Sequence, residues 1–230
     1  MDNQRNVIDM SPFLNDSRHP SIREVEAYWQ ALRAGRLVPR RSEVDPRGIE
    51  RSLEYAFIAE RIAPGLARLR IAGSHLSDLM GMEVRGMPLS AFFTPDARTL
   101  CGDVLEQVFD GPATAELILS AERGIGKPAI DARMILLPMK SDLGDVSRAL
   151  GCFSTQGAIG RSPRRFNITG HSLRDLTVGV GAERRADSPA APLNPPELQH
   201  GMAESPAPFT QDRQPLRSER PHLRLIRSDD

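Results

Sequence analysis

The residues of this chain with chemistry to offer are two cysteines, a glycine-rich turn and a basic stretch, and each carries a spacing that can be tested. Cys101 and Cys152 sit far apart and outside any CxxC pattern, which argues against a disulfide scaffold, a zinc site or a thioredoxin-like centre. The turn Gly124-Ile125-Gly126-Lys127-Pro128 lacks the GxxxxGK[ST] spacing that cradles phosphate, and strand-like runs flank it on both sides, so it reads as a hairpin loop. Neither HExxH nor GxSxG is present, and the output motifs of histidine kinases, cyclases and phosphodiesterases are missing too. Catalysis needs a nucleophile, a base and an orienting group that converge, and the sequence offers no such set, so a non-enzyme is expected. The stretch Arg161-Ser162-Pro163-Arg164-Arg165-Phe166 has the charge to meet phosphates. No helix-turn-helix or extended basic stripe supports it, so nucleic acid is disfavoured as a partner, and a DNA-binding regulator using Arg164 and Arg165 ranks third among the readings.

The bulk properties agree. Thirty basic residues balance 30 acidic ones over 230 residues, so no global charge advertises a polyanion or an anionic membrane. Lys127 and Lys140 are the only lysines. The remaining positive charge is arginine, suited to bidentate contact with carboxylates or phosphates. The N-terminus MDNQRNVIDMSPF has no basic segment followed by an apolar core, and no apolar run approaches the ~18 residues of a membrane span, so a cytoplasmic protein is expected.

The elements that must position these residues follow from periodicity. Residues 1–20 are polar and aperiodic, a flexible arm. A helix is expected from Ser21, with Ser21 and Glu24 as a capping box and Ile22, Val25, Trp29 and Leu32 at helical spacing until Gly35. Asp45-Pro46 opens a short helical stretch carrying Ile49 and Leu53. Tyr55 to Ile62 and Leu66 to Ala72, split by Pro64-Gly65, form a hairpin. Leu76, Leu79 and Met80 make one stripe of a short helix, and Leu89, Phe92 and Phe93 a second turn. Thr94-Pro95-Asp96 caps a longer helix with Leu100, Val104 and Val108 on one side, ended by Asp110-Gly111-Pro112.

Three strand-like runs follow: Ala115 to Glu122, Ala129 to Pro138 and Ser147 to Gln156. In the middle one Ile130, Ala132, Met134 and Leu136 alternate with charge, while Ile135 and Leu137 leave part of the other face apolar, a place for an edge or a partner. After these strands, Ile168, Leu173, Leu176 and Val178 suggest a docked helix or a partner-binding segment. From about Gly181 prolines are scattered among Ala, Ser, Glu and Arg, a composition too poor in apolar area to form a core, so residues 181–230 are expected to be disordered. The end, Leu223-Arg224-Leu225-Ile226, is a short apolar and basic motif.

This order, with Gly81-Met82-Glu83-Val84-Arg85-Gly86-Met87-Pro88-Leu89, then Phe92-Phe93 and Pro95-Asp96-Ala97-Arg98, resembles the PAS-domain family. The likeness covers roughly residues 50–158, and Tyr28-Trp29 and the arginine and leucine motif near the C-terminus resemble those of standalone bacterial PAS proteins without an output domain. The resemblance implies an α+β fold: a five-stranded antiparallel sheet, order 2-1-5-4-3, with helices on one face, an N-terminal helix and a disordered C-terminal tail. The expected division is 1–20 arm, 21–54 flanking helices, 55–158 core, 159–180 post-domain segment and 181–230 tail.

Between sheet and helices the family implies a small-molecule or empty pocket. Leu79, Phe92, Phe93, Leu105, Phe109, Met134 and Leu136 would line it by position. The cofactor stays open: Ser74-His75-Leu76-Ser77-Asp78 lacks the reactive cysteine of flavin photosensors, and Thr94 to Asp110 lacks the histidine that holds haem. Cys101 as a thiolate iron ligand competes with the plainer role of a small core residue. The expected function is a regulatory or sensory protein that signals by binding another signalling protein or a second copy of itself. Trp29, Leu223, Arg224, Leu225 and Ile226 are the candidate partner contacts. The alternative is a constitutive adaptor that adds its C-terminal motif to another protein's groove or sheet edge.

Overall fold

Proline at the first helical position, a run of helix formers and a left-handed exit define the first element of the computed structural model, which describes residues 18–177. Helix α1 is Pro20–Arg33, and it stops where Ala34 (φ 46°) and Gly35 (φ 82°) turn left-handed. Its N-cap is His19, two positions earlier than a Ser21 capping box requires, and no side chain caps it. Pro20 lacks the N–H that would need capping, and Glu24 instead accepts a hydrogen bond from the Ser52 hydroxyl. A 3-10 segment, Pro46–Tyr55, is capped by Asp45, whose carboxylate accepts the Arg47 N–H at 3.0 Å.

Strands β1 (Ala56–Ala63) and β2 (Leu66–Ala72) form the hairpin around Pro64-Gly65, with Gly65 at φ 65°. Helix α2 (Ser74–Met80) ends at left-handed Gly81, and a 3-10 turn spans Leu89–Phe92. Helix α3 (Ala97–Asp110) begins one residue after Asp96, which makes no side-chain cap. Thr94 does not cap it either, because its hydroxyl donates to Asn167 Oδ1 in a distant strand. Strands β3 (Ala113–Ala121), β4 (Asp131–Lys140) and β5 (Val146–Gln156) form the meander, and β6 (Phe166–Asp175) follows.

The sheet is antiparallel throughout, in the order β2-β1-β5-β4-β3-β6. The expected five-strand order is present, and a sixth strand is added to it. Residues 166–175, expected beyond the core as a docked helix or a partner segment, pair with β3 from Ala121↔Phe166 to Ala113↔Asp175. The reason is the open edge of β3: unpaired N–H and C=O groups there are satisfied by the returning chain. The other edge is covered too, since Leu69 and the loop at Gly86 and Met87 exchange backbone hydrogen bonds of 2.7 and 2.9 Å.

The core helices lie on one face of the sheet, as expected, and the N-terminal helix, for which no face was expected, lies on the other. On the inner face Phe57, Leu69, Leu117, Met134, Leu136 and Phe153 pack against α2, α3 and the 3-10 turn. On the outer face Ile58, Ile135, Leu137, Met139, Leu150 and Cys152 pack against Ile22, Val25 and Trp29 of α1 and Ile49 of the 3-10 segment. The apolar outer residues Ile135 and Leu137 therefore meet the chain's own N-terminal helix. The arm residues 1–17 and the tail, including Leu223 to Ile226, lie outside the described residues.

Candidate functional site

Alternation along β4 sends Met134 and Leu136 inward, and the helical stripes send Leu79, Leu105 and Phe109 down to meet them. Phe92 and Phe93 come from the turn between. The seven residues expected to line a pocket do converge, but they are packed on one another, all between 0 and 3 % exposed. Two aromatic residues that sequence reasoning passed over complete the filling. Phe153 stands edge-on to Phe92 (centroids 5.7 Å) and to Phe166 (5.0 Å), so three rings form one chain through the interior. The signal for Phe153 was its place in the Ser147 to Gln156 run; for Phe166 there was none, because its strand is mostly polar. Beside Phe153, Gly151 lets the Phe57 ring cross the strand, since a Cβ there would sit 2.1 Å from that ring.

The chemistry-bearing residues are similarly occupied. Burial pushes the Cys101 and Cys152 thiols up to about 12, so neither supplies a thiolate at neutral pH. His75, at the start of α2, holds Thr155 Oγ1 at 3.0 Å and meets the Tyr55 ring edge-on at 4.9 Å. Burial lowers its pKa against the pull of Glu54 and Asp78, so it acts as a neutral hydrogen-bonding group. Trp29, a candidate partner contact, is fully buried on the outer face, and its indole N–H donates to the Pro138 carbonyl at 3.0 Å. Among the described residues no three His, Cys, Asp or Glu side chains gather to hold a metal, and no helix is long and apolar enough to cross a membrane.

The basic stretch is not a free patch. Arg164 is fully buried, and its guanidinium donates to the carbonyls of Ile159, Glu122 (3.1 Å) and Pro128 (2.6 Å). Its desolvation lowers the pKa of the guanidinium, with Glu122 opposing. Phe166 is also buried, so within this stretch the exposed guanidinium is that of Arg161, with Arg165 half-buried.

His19 is a buried titratable group on the outer side. Its Nδ1 lies 3.0 Å from the Ser154 hydroxyl, and its pKa is lowered to about 4, by burial first and then by Arg133, with Asp131 opposing. The folded value lies below the ordinary 6.5, so the stability tied to neutral His19 is complete above pH 6.5 and is lost as pH falls from there toward about 4. Melting temperature measured across that window is expected to fall as pH falls, by an amount equivalent to about 2 kcal/mol, and His19→Asn is expected to flatten the slope. A variant as pH-dependent as the parent would remove His19 from this role.

Open space lies instead on the outer face. A cavity of about 560 Å³ is walled by Val44, Ile49 and Leu53 on one side and floored by Ile58, Ile71 and Leu150, with Arg41 and Glu54 among its polar residues. A neighbouring cavity of about 360 Å³ shares Arg41, Ile58 and Ile71 and adds Arg70, Asp142 and Arg148. Beside them Glu60 of β1 pairs with Arg70, Arg148 and Arg68, which together hold its carboxyl down at about 2, Arg70 foremost, against the cost of burial.

An antiparallel sheet with short helices and one long helix packed on its inner face is the frame of a small sensory or regulatory module. The chain belongs to the PAS-domain family, whose model matches residues 17–154 and so takes in α1 and ends within β5. The strand β6 lies beyond that match. Two solved structures are similar to it. One is described as the light state of the blue-light photoreceptor Aureochrome1 LOV (14 % identity, TM-score 0.35), with 48 % of this chain and 88 % of that one covered. The other comes from work on a flavin analogue and the light-oxygen-voltage domain mechanism (16 % identity, TM-score 0.34), covering 48 % and 83 %. No curated protein matches the sequence.

Proposed function

We propose that this is a non-catalytic regulatory PAS protein that works by binding another protein, with its inner face filled by its own side chains. The observation that carries this reading is the packing of Leu79, Phe92, Phe93, Leu105, Phe109, Met134 and Leu136 at 0–3 % exposure. A pocket meant for a chromophore of ordinary size needs some ~300 Å³ or more, and side chains interdigitated to crystal-like density leave no such room. Signals then leave through a surface. Apolar side chains held in water, such as Met82 at 56 % and Ile118 at 46 % exposure, offer points of contact on the folded part. Recognition by the tail motif Leu223-Arg224-Leu225-Ile226 is the adaptor form of the same reading.

The test is affinity capture from the native cells with the full chain and with a chain lacking 181–230. A partner retained by both baits puts recognition on the domain. One lost with the tail puts it on the motif. Absence of any stoichiometric partner, or co-purification of a chromophore with an absorbance of its own, would count against the reading.

A further inference from the structure

The outer face of the sheet is covered unevenly. Helix α1 packs over β4 and β5, whereas the 3-10 segment Pro46–Tyr55 meets β5 and β1, and the 560 Å³ cavity opens between that segment and Ile58 and Ile71 of β1 and β2. Its walls are aliphatic, and two of them stay in contact with water: Leu53 is 43 % and Ile71 45 % exposed. Clustered apolar area in a concavity gains about 25 cal/mol for every Å² that a ligand removes from water.

One end of this groove is cationic. Arg41 lines both the cavity and its neighbour, and its guanidinium makes no hydrogen bond or ion pair with any described residue. Arg70 and Arg148 line the neighbouring cavity, and both share the single carboxylate of Glu60 with Arg68. Asp142 is the one acidic residue lining that second cavity, and Glu54 lines the first but not the second. Positive charge thus exceeds negative at the Arg41 end, while the middle of the groove is aliphatic.

We propose that the groove binds an aliphatic carboxylate, its alkyl chain lying along Ile49, Leu53, Ile58 and Ile71 and its carboxylate paired with Arg41. The volume falls in the ~300–1,000 Å³ range of small-ligand sites. A planar guanidinium without a partner matches a carboxylate by two parallel hydrogen bonds. Charge argues against the other occupants. A second copy packed on a two-fold axis sets this arginine cluster against itself, and the tail segment Leu223 to Arg227 brings two further arginines, Arg224 and Arg227, to it. The site lies on the face of the sheet opposite the filled interior, and the proposal stands or falls without reference to any partner protein.

The experiment uses the full chain and dodecanoate below its micelle concentration, followed by calorimetry and by the fluorescence of the single tryptophan. Trp29 belongs to the same outer cluster as Ile49, Ile58 and Leu150. Saturable one-to-one binding is expected, weakened at least ~10-fold for dodecanol or in Arg41→Gln and abolished in Ile71→Glu. Both substituted side chains are partly exposed, and melting curves verify that the variants fold. If Ile71→Glu does not fold, Arg41→Gln alone decides. Three results would overturn the proposal: no saturable binding, equal binding of dodecanol or dodecyltrimethylammonium, or an affinity unchanged in Arg41→Gln. Binding of dodecanoate that emerges only after removal of residues 181–230 would assign the groove to the tail and overturn it as well.

Discussion

Phe153→Ala is expected to lower the unfolding free energy by about 3–5 kcal/mol, read as a drop in the urea midpoint at unchanged slope. Phe153 sits on β5, a central strand, and its fully buried ring touches Phe92 from the 3-10 turn and Phe166 from β6. Removing it opens a void at the junction of three elements that cannot all collapse together, so the cavity term adds to the lost transfer energy. Phe153→Leu keeps most of the volume and is expected to cost about 1–1.5 kcal/mol. The pair of variants also tests the functional reading. A loss below about 1 kcal/mol for Phe153→Ala means that the interior has room to rearrange, and a ligand pocket between sheet and helices then becomes the better reading of this face.

Arg164→Met is expected to be nearly as damaging, about 3–4 kcal/mol, although methionine replaces much of the volume. The buried guanidinium is the shared donor for three carbonyls, those of Glu122 at the end of β3, Pro128 in the β3–β4 loop and Ile159 in the segment leading to β6. Without it those half-buried acceptors lose their shared donor, and the return of the chain to the β3 edge loses its anchor. Hydrogen exchange of the β6 amides is the sensitive measurement, with protection falling there more than in β5. Uniform loss of protection, or none, would mean that Arg164 is not what seats the sixth strand. A loss of nucleic-acid binding in this variant would report unfolding, so a test of the DNA-binding reading belongs on exposed Arg161.

Much of the inner layer was legible because local signals and burial agree there. Pro64-Gly65 and Asp110-Gly111-Pro112 punctuate the chain with residues whose backbone preferences hold in any context, and they fall between β1 and β2 and between α3 and β3. Alternation in β4 marked one face as buried, and Met134 and Leu136 do point there. The seven residues expected at a lining lie together in one buried cluster. Whether they enclose space or fill it depends on where the rings of Phe153 and Phe166 go, and Phe166 comes from a strand with almost no apolar pattern.

The caps show the opposite case. Ser21 with Glu24, and Thr94 ahead of α3, have the residue types of caps, yet Glu24 accepts from Ser52 and Thr94 donates to Asn167. Short polar side chains take whichever partner the tertiary structure brings within reach, and a helix with proline at its start has less need of them. Arg164 is a sharper instance: a charged residue in a basic run reads as solvated, and only three converging carbonyls make its burial tolerable.

By itself the sequence determined the hairpin, the two inner helices and the meander, because turn chemistry and hydrophobic period act over a few residues and do not depend on what lies opposite, while the order of the strands came with the family resemblance. Tertiary structure alone decided that α1 covers the outer face, that β6 closes the edge of β3, that Phe153 and Phe166 join the inner cluster and that the open groove with Arg41 lies on the other side. Those outcomes are set by contacts between residues far apart in the chain, such as Trp29 with Pro138, His19 with Ser154 and Ala121 with Phe166. A one-dimensional pattern states which side chains leave water, and the packed chain states which of them meet.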